Sequence, residues 1–477
     1  MRVWQCVARE RPTTAGNYLV AALIVGLIAL VGCLLWPVVV RGGERLGLPA
    51  LLPRGFALGL LTLHGLLCSL VLLGARFGRT LVFTVGGVAL LSAVVARLVV
   101  GPRRDNSPRS AERGSLVRGL GLGVCVAMVG AAFALAMVMP VRNVDAIHHW
   151  GYTAKIFYYD GGVWNPHYLD PARGHVYRWY PVLVPMTLAT IYEAIGWVDD
   201  QAVKVLFPAF LAMLLLAVGS AMRRERRGEG WLIMVLALAS CQSYFDYQGG
   251  AVSALADVPF SLFFLLGLLE WRQWAEVPGR SPLGWLLPLC GGAVTKTEGL
   301  VALGAMCCAA AFLRWRVRPV PWRRLLLSVA VVVVLVVPWY GFVAHLPGRP
   351  GYVPGGGVKG PPPSEQLGSL VGNMGILLGE FFNGPRWGAL WVVVLLAVLL
   401  GWTRRSGVEK MAAGLVLLQF LAYLGAYAVM PEDPASLVRT TRMRLLLHLA
   451  PAAAWCGWCF LPPWRWLVGP PRGGAKT

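Results

Sequence analysis

The chain has 477 residues, 57% hydrophobic and 14% charged, with a mean hydropathy of +0.63 and a formal net charge of +21. Soluble domains carry roughly 25% charged residues, so a soluble globular protein is excluded and a polytopic helical membrane protein is expected. The positive charge does not make the chain a nucleic-acid binder. Its cations sit in short loops between apolar runs, as at Arg103, Arg104, Arg109, Arg113 and Arg118, at Arg223, Arg224, Arg226 and Arg227, and at Arg314, Arg316, Arg318, Arg323 and Arg324. That is the positive-inside pattern, and these loops carry no nucleic-acid-binding module.

Apolar runs occupy 17–40, 55–74, 80–100 and 116–140, then, after a polar stretch, 181–197, 202–222, 231–245, 249–271, 285–294, 299–313, 325–343, 387–402, 411–430 and 445–461. A hydrocarbon core of about 30 Å needs about 20 residues of helix, so the expected fold is all-α with about 13 transmembrane helices, some of them half-spans. Residues 1–115 read as extra N-terminal transmembrane helices, 116–463 as the main membrane module and 464–477 as a cytoplasmic tail. The basic stretch from Arg2 to Arg11 precedes an apolar run longer than a signal-peptide core, so it is read as preceding a span.

With the basic loops inside, an extracytoplasmic helical loop follows the fourth run, and the segments 245–248, 296–298, 344–385 and 431–444 also fall outside. Two conflicts remain. Run 181–197 contains Pro181 and Pro185 and leaves room for no extra crossing, so it is expected to be a surface or re-entrant helix. Four crossings before the loop would put the basic N-terminus outside, so one of the first three runs is expected not to cross.

The loop opens Val-Arg-Asn-Val-Asp-Ala-Ile-His-His-Trp at 141–150. An acid, two histidines and a tryptophan just beyond a membrane helix point to chemistry at the bilayer surface. The same face collects Asp145, His148, His149, Lys155, His175, Arg178 and Tyr180 from this loop, then Asp257, Lys296, Glu298, Arg442, Arg444 and His448 from later segments. Ionisable groups in or beside apolar runs are costly, about 2.5–3.5 kcal/mol at a span centre, and therefore mark either a site or a structural ion pair. Lys296 and Glu298 fit both readings; Asp257 either pairs with Lys296 or caps a helix before Pro259. Arg439, Arg442 and Arg444 suit a lipid phosphate, which arginine binds in a bidentate manner, and suit headgroup anchoring equally.

Adjacent His148 and His149 cannot easily face one ion, so no metal or other cofactor is expected. Trp150, Trp164, Trp179 and Trp197 read as an interfacial belt. The ten cysteines imply no disulfide framework, and Cys456 and Cys459 read as packing residues inside a span. The Gly/Pro-rich segment 347–363 reads as an external loop able to close over a site.

Five segments carry a resemblance: Asp145-Ala146 with Trp150, Lys155 and Gly161-Gly162; Tyr180-Pro181-Val182-Leu183-Val184-Pro185; Ala256-Asp257-Val258-Pro259; Lys296-Thr297-Glu298-Gly299; and Thr441-Arg442-Met443-Arg444 with His448 and Pro451. In this order the chain resembles, over about 116–461, the GT-C superfamily of membrane glycosyltransferases, in the broad group of protein O-mannosyltransferases and the aminoarabinose transferases of lipid A. The resemblance implies inverting transfer of a sugar from a polyprenyl-phosphate donor to a glycan, lipid or protein acceptor on the extracytoplasmic face, in contact with membrane lipids. It implies that Asp145 is the general base, while placement alone puts Lys296 and Arg442, then Arg178 or His175, on the leaving phosphate. Many members carry a second acid where this chain has Ala146, so that acid's role is not carried over. A transporter or flippase, and a lipid-linked glycan polymerase or ligase, are the alternative functions for the same polar face.

Overall fold

The computed structural model describes residues 12–40, 46–100, 116–170, 172, 178–224, 231–277, 279–316, 322–346, 363–428 and 434–461. His175, most of the Gly/Pro-rich segment, the basic cluster at 103–113 and the expected tail lie outside the described residues. Four long helices come first: α1 (Ala15–Val39), α2 (Leu48–Leu72), α3 (Arg79–Val100) and α4 (Leu116–Val138). The polar stretch holds a π-helical turn (Ala146–Gly151) that runs into α5 (Tyr152–Asp160), then α6 (Pro166–Leu169) and α7 (Leu183–Ile195). The remaining helices are α8 (Leu206–Arg224), α9 (Trp231–Ala239), α10 (Asp257–Glu276), α11 (Leu283–Ala293), α12 (Glu298–Arg316), α13 (Trp322–Ala344), α14 (Pro363–Phe381), α15 (Gly384–Trp387), α16 (Leu390–Gly401), α17 (Gly407–Ala428) and α18 (Pro434–Phe460). No strand occurs among the described residues.

Seven of these helices are long and apolar enough to cross a bilayer: α1, α2, α3, α4, α8, α13 and α17; α7, α11, α12 and α16 are apolar but shorter. The two inner helices are of another kind. α10 is buried without a break from Asp257 to Arg272, as a helix apolar on every face must be, and it carries its charges inward. α18 lies beside it in parallel. Asp257 meets Arg444, Ser261 Oγ donates to the His448 carbonyl and Arg272 meets Cys459, and each pair is 187 residues apart. A constant offset over this length requires two helices running side by side in one direction. α11 returns antiparallel to α10, with Gly291 against Phe263 and Gly267 against Leu289.

At the other side of the bundle, α1 and α2 come into backbone contact. A side chain at Gly32 would lie 1.7 Å from the Gly55 carbonyl oxygen, and one at Gly59 would lie 1.9 Å from that of Ile28. Small residues spaced four apart, here Gly55 and Gly59, are how membrane helices approach closely.

These contacts sort the chain ends of the helices onto two ends of the bundle. The start of α1, the ends of α2 and α4, the starts of α3, α10 and α12, and the ends of α11, α13 and α17 meet at one end, through contacts such as Asn17 with Asp199, Trp164 with Leu72, and Tyr340 with Ala293. Arg54, Glu270, Arg272, Arg280, Arg324 and Glu409 meet at the other. The first three helices all run the length of the bundle, and each is long and apolar enough to cross a bilayer. α7 behaves as its prolines predict. Its first residue, Leu183, donates to Val294, its last turn takes Arg79 on the Glu193 carbonyl, and Gly196 just beyond it accepts from Tyr158; both ends lie at the same end of the bundle.

Candidate active site

Asp145 immediately precedes the π-helical turn, and its N–H is held by the Asn143 side chain at 2.8 Å. π-Turns are rare and tend to occur at functional positions; here the turn sets the acid on the inner side of the loop. Asp257 is the first residue of α10, so the helix N-terminus favours its charge. This corrects the expectation that it lies several residues into a span: residues 246–256 form turns. Lys296 occupies the turn between α11 and α12, where its N–H donates to the Gly292 carbonyl. The turn is tight because Gly299 rests on Gly292, and any side chain at 299 would meet that backbone at 2.3 Å. Arg444 and His448 are one helical turn apart on α18 and share a face.

These five residues form one connected cluster. Arg444 donates through Nη1 to Asp145 Oδ2 at 2.5 Å and through Nε to Asp257 Oδ2 at 3.1 Å. Lys296 Nζ donates to Asp257 Oδ1 at 2.9 Å and lies 3.3 Å from Glu298 Oε1. His448 Nε2 is 2.8 Å from Asp257 Oδ1, and its Nδ1 is 3.0 Å from the Tyr423 hydroxyl. The partner chemistry assigns the tautomer: with Nε2–H donating to the carboxylate, Nδ1 accepts from the phenol. Asp257 and His448 are fully buried, whereas the Asp145 side chain keeps 32% of its surface exposed. Its Oδ1 has no hydrogen-bond partner among the described residues. One buried carboxylate therefore holds two cations and an imidazole in place, and one of those cations reaches out to a half-exposed acid.

The other candidates divide. Arg442, two residues before Arg444 and so on a different side of α18, forms an ion pair with the buried Glu380 at 3.0 Å, which also holds Arg386 at 3.2 Å. The expectation that Arg442 stands with Lys296 is corrected: Arg444 takes that place. Arg178 is buried within the loop, donating to the Leu169 carbonyl at 2.7 Å and lying over the Trp179 ring, while its own carbonyl accepts from Tyr168. Burial pushes the Tyr168 phenol well above its usual range, which keeps it a donor there. Arg178 thus shapes the loop and does not reach the cluster.

His149 lies buried against the rings of Trp150 and Tyr180, with centroids 3.9 and 4.7 Å away. Trp150 is 1% exposed and Trp179 8%, so these two are core residues and not the interfacial belt expected of them; Trp164 is exposed. His148 and Lys155 line a separate cavity, where Lys155 meets Asp200 at 2.6 Å. Among the described residues no group of three His, Cys, Asp or Glu side chains is placed to hold a metal ion. Cys456 and Cys459 are buried along α18.

Tyr423, Glu380 and Asp200 are the residues that sequence reasoning missed. Tyr423 sits within an apolar run and signals nothing until α17 packs on α18. Asp199-Asp200, two adjacent acids where an apolar run ends, carried a signal that was readable. Comparison with protein-family models, with curated proteins and with solved structures finds no match to this chain.

Proposed function

We propose that this chain is an inverting glycosyltransferase that moves a sugar from a polyprenyl-phosphate carrier to an acceptor hydroxyl on the non-cytoplasmic side of a membrane. One observation carries the reading: the half-exposed Asp145 is joined through Arg444 to the buried Asp257, Lys296 and His448, although these residues come from four separate parts of the chain. The basic loops of the sequence, which the positive-inside rule puts on the cytoplasmic side, support the sidedness.

In the proposed step, Asp145 Oδ1 accepts the proton of the acceptor hydroxyl as its oxygen bonds to the anomeric carbon. The bond from that carbon to the phosphate oxygen breaks, and its electron pair leaves with the lipid phosphate. Arg444 on Oδ2 fixes the carboxylate's orientation, which is where much of the gain from a positioned base arises. Fixed cations stabilise the charge that develops on the leaving group. Arg444 and Lys296 are the cluster's two cations.

Asp145→Asn tests the reading. Glycan transfer in membranes carrying the variant is expected to fall on the order of 10²–10⁴-fold, with insertion and expression unchanged, as measured by mass spectrometry of lipid carriers and surface glycans against a deletion strain. Transfer at the wild-type rate removes the mechanism. Uptake of lipid-linked sugar into proteoliposomes without covalent product makes the chain a transporter instead.

A further inference from the structure

A cavity of about 680 Å³ opens at the same end of the bundle as the ion cluster, within the range of pockets that hold small organic ligands. The π-helical turn divides the two: Ala146, Ile147 and His148 line the cavity, while Asp145, immediately before them, faces Arg444. Ala254, three residues before Asp257, closes another part of the wall. The cavity and the cluster therefore share walls, and their chemistry differs. Among the described residues lining the cavity, Lys155 is the one lysine or arginine, against Asp160, Asp199 and Asp200. Lys155 is already paired with Asp200, which also accepts from Tyr192 at 2.6 Å; His167 in the same lining lies 3.0 Å from Asp160, and the buried Asp199 accepts from Thr13 and Asn17. An anion such as a lipid phosphate is disfavoured there. Aromatic rings from Tyr152, Tyr159 and Trp197 stand beside these carboxylates. Flat apolar rings with hydrogen-bond acceptors between them match the two surfaces of a sugar, its C–H face and its hydroxyl rim.

We infer that this cavity binds a saccharide without net negative charge, which serves as the acceptor if the glycosyltransferase reading, on which that role rests, holds. The test uses the full chain in detergent and saturation-transfer NMR with methyl glycosides of neutral hexoses, pentoses and N-acetylhexosamines, with inorganic phosphate as competitor. At least one glycoside is expected to bind, and Tyr159→Ala and Asp200→Asn are each expected to weaken it about fivefold or more. Both positions are solvent-facing, and thermal unfolding checks that the variants remain folded. Phosphate does not displace the glycoside. Absence of binding by every glycoside, displacement by phosphate, or binding indifferent to both substitutions overturns the inference. The two readings fail separately: binding with wild-type transfer by Asp145→Asn sinks the transferase alone, and Asp145-dependent transfer without binding sinks the cavity assignment alone.

Discussion

At Asp257 a single carboxylate receives Lys296, Arg444 and His448 while excluded from water. Removing one member of a buried ion network leaves the others charged and unpaired, at a cost of about 3–5 kcal/mol. Asp257→Asn is therefore expected to lower the thermal unfolding midpoint in detergent strongly, while Tyr423→Phe, which leaves His448 Nδ1 without its donor, costs about 1–3 kcal/mol. Equal stability of Asp257→Asn and wild type would show that the carboxylate does not organise the cluster. The residues of this network were legible in sequence to the extent that each was an expensive charge at the edge of an apolar run. Arg444 and Arg442 were not separable in that way. Two residues of helix turn a side chain through about 200°, so which arginine faces α10 and which faces Glu380 depends on how α18 is rotated against its neighbours.

At the scale of elements, the parallel pair α10 and α18 fixes the site, because one face carries Arg444 and His448 past the first turn of α10. The far end of α10 is locked by a second buried network: Glu270 accepts Arg54 Nε at 2.6 Å from α2 and Arg280 Nη2 at 2.7 Å from the segment before α11. Glu270→Gln leaves two buried guanidinium groups sharing one neutral amide, and a loss of about 3–5 kcal/mol follows. Unfolding of purified variants checks it, and a double change of Glu270→Gln with Arg54→Met is expected to recover part of the loss. Failure of that recovery would mean the glutamate acts through packing and not charge. Sequence patterning located these helices but misplaced the start of α10, since residues 249–256 are as apolar as the helix that follows and only the tertiary turns around Gly250 interrupt them. That α7 begins and ends at one end of the bundle was legible from its prolines and from the parity of the basic loops.

For the molecule as a whole, sidedness rests on the positive-inside pattern of the basic loops, which predicts that the end bearing Asp145 lies away from the cytoplasm. The described basic residues Arg272, Arg280, Arg324 and Arg405 lie at the far end of the bundle, where α10 finishes, α13 starts and α18 reaches Leu461. In a chain whose ten cysteines are replaced, His148→Cys is expected to react with a membrane-impermeant maleimide on intact cells. Arg324→Cys is expected to react only after permeabilisation. Both positions are solvent-facing ends of helical segments, so their labelling reports side and not burial. The start of α1 is predicted to behave as His148 does, because Asn17 donates to Asp199 at 2.8 Å beside the cavity. A cysteine at Thr14 labelled only from the cytoplasm would contradict the bundle's arrangement. A reversed pattern at all three positions would keep the bundle and place Asp145 among cytoplasmic solutes, where a lipid-linked donor displayed on the outer leaflet cannot reach it.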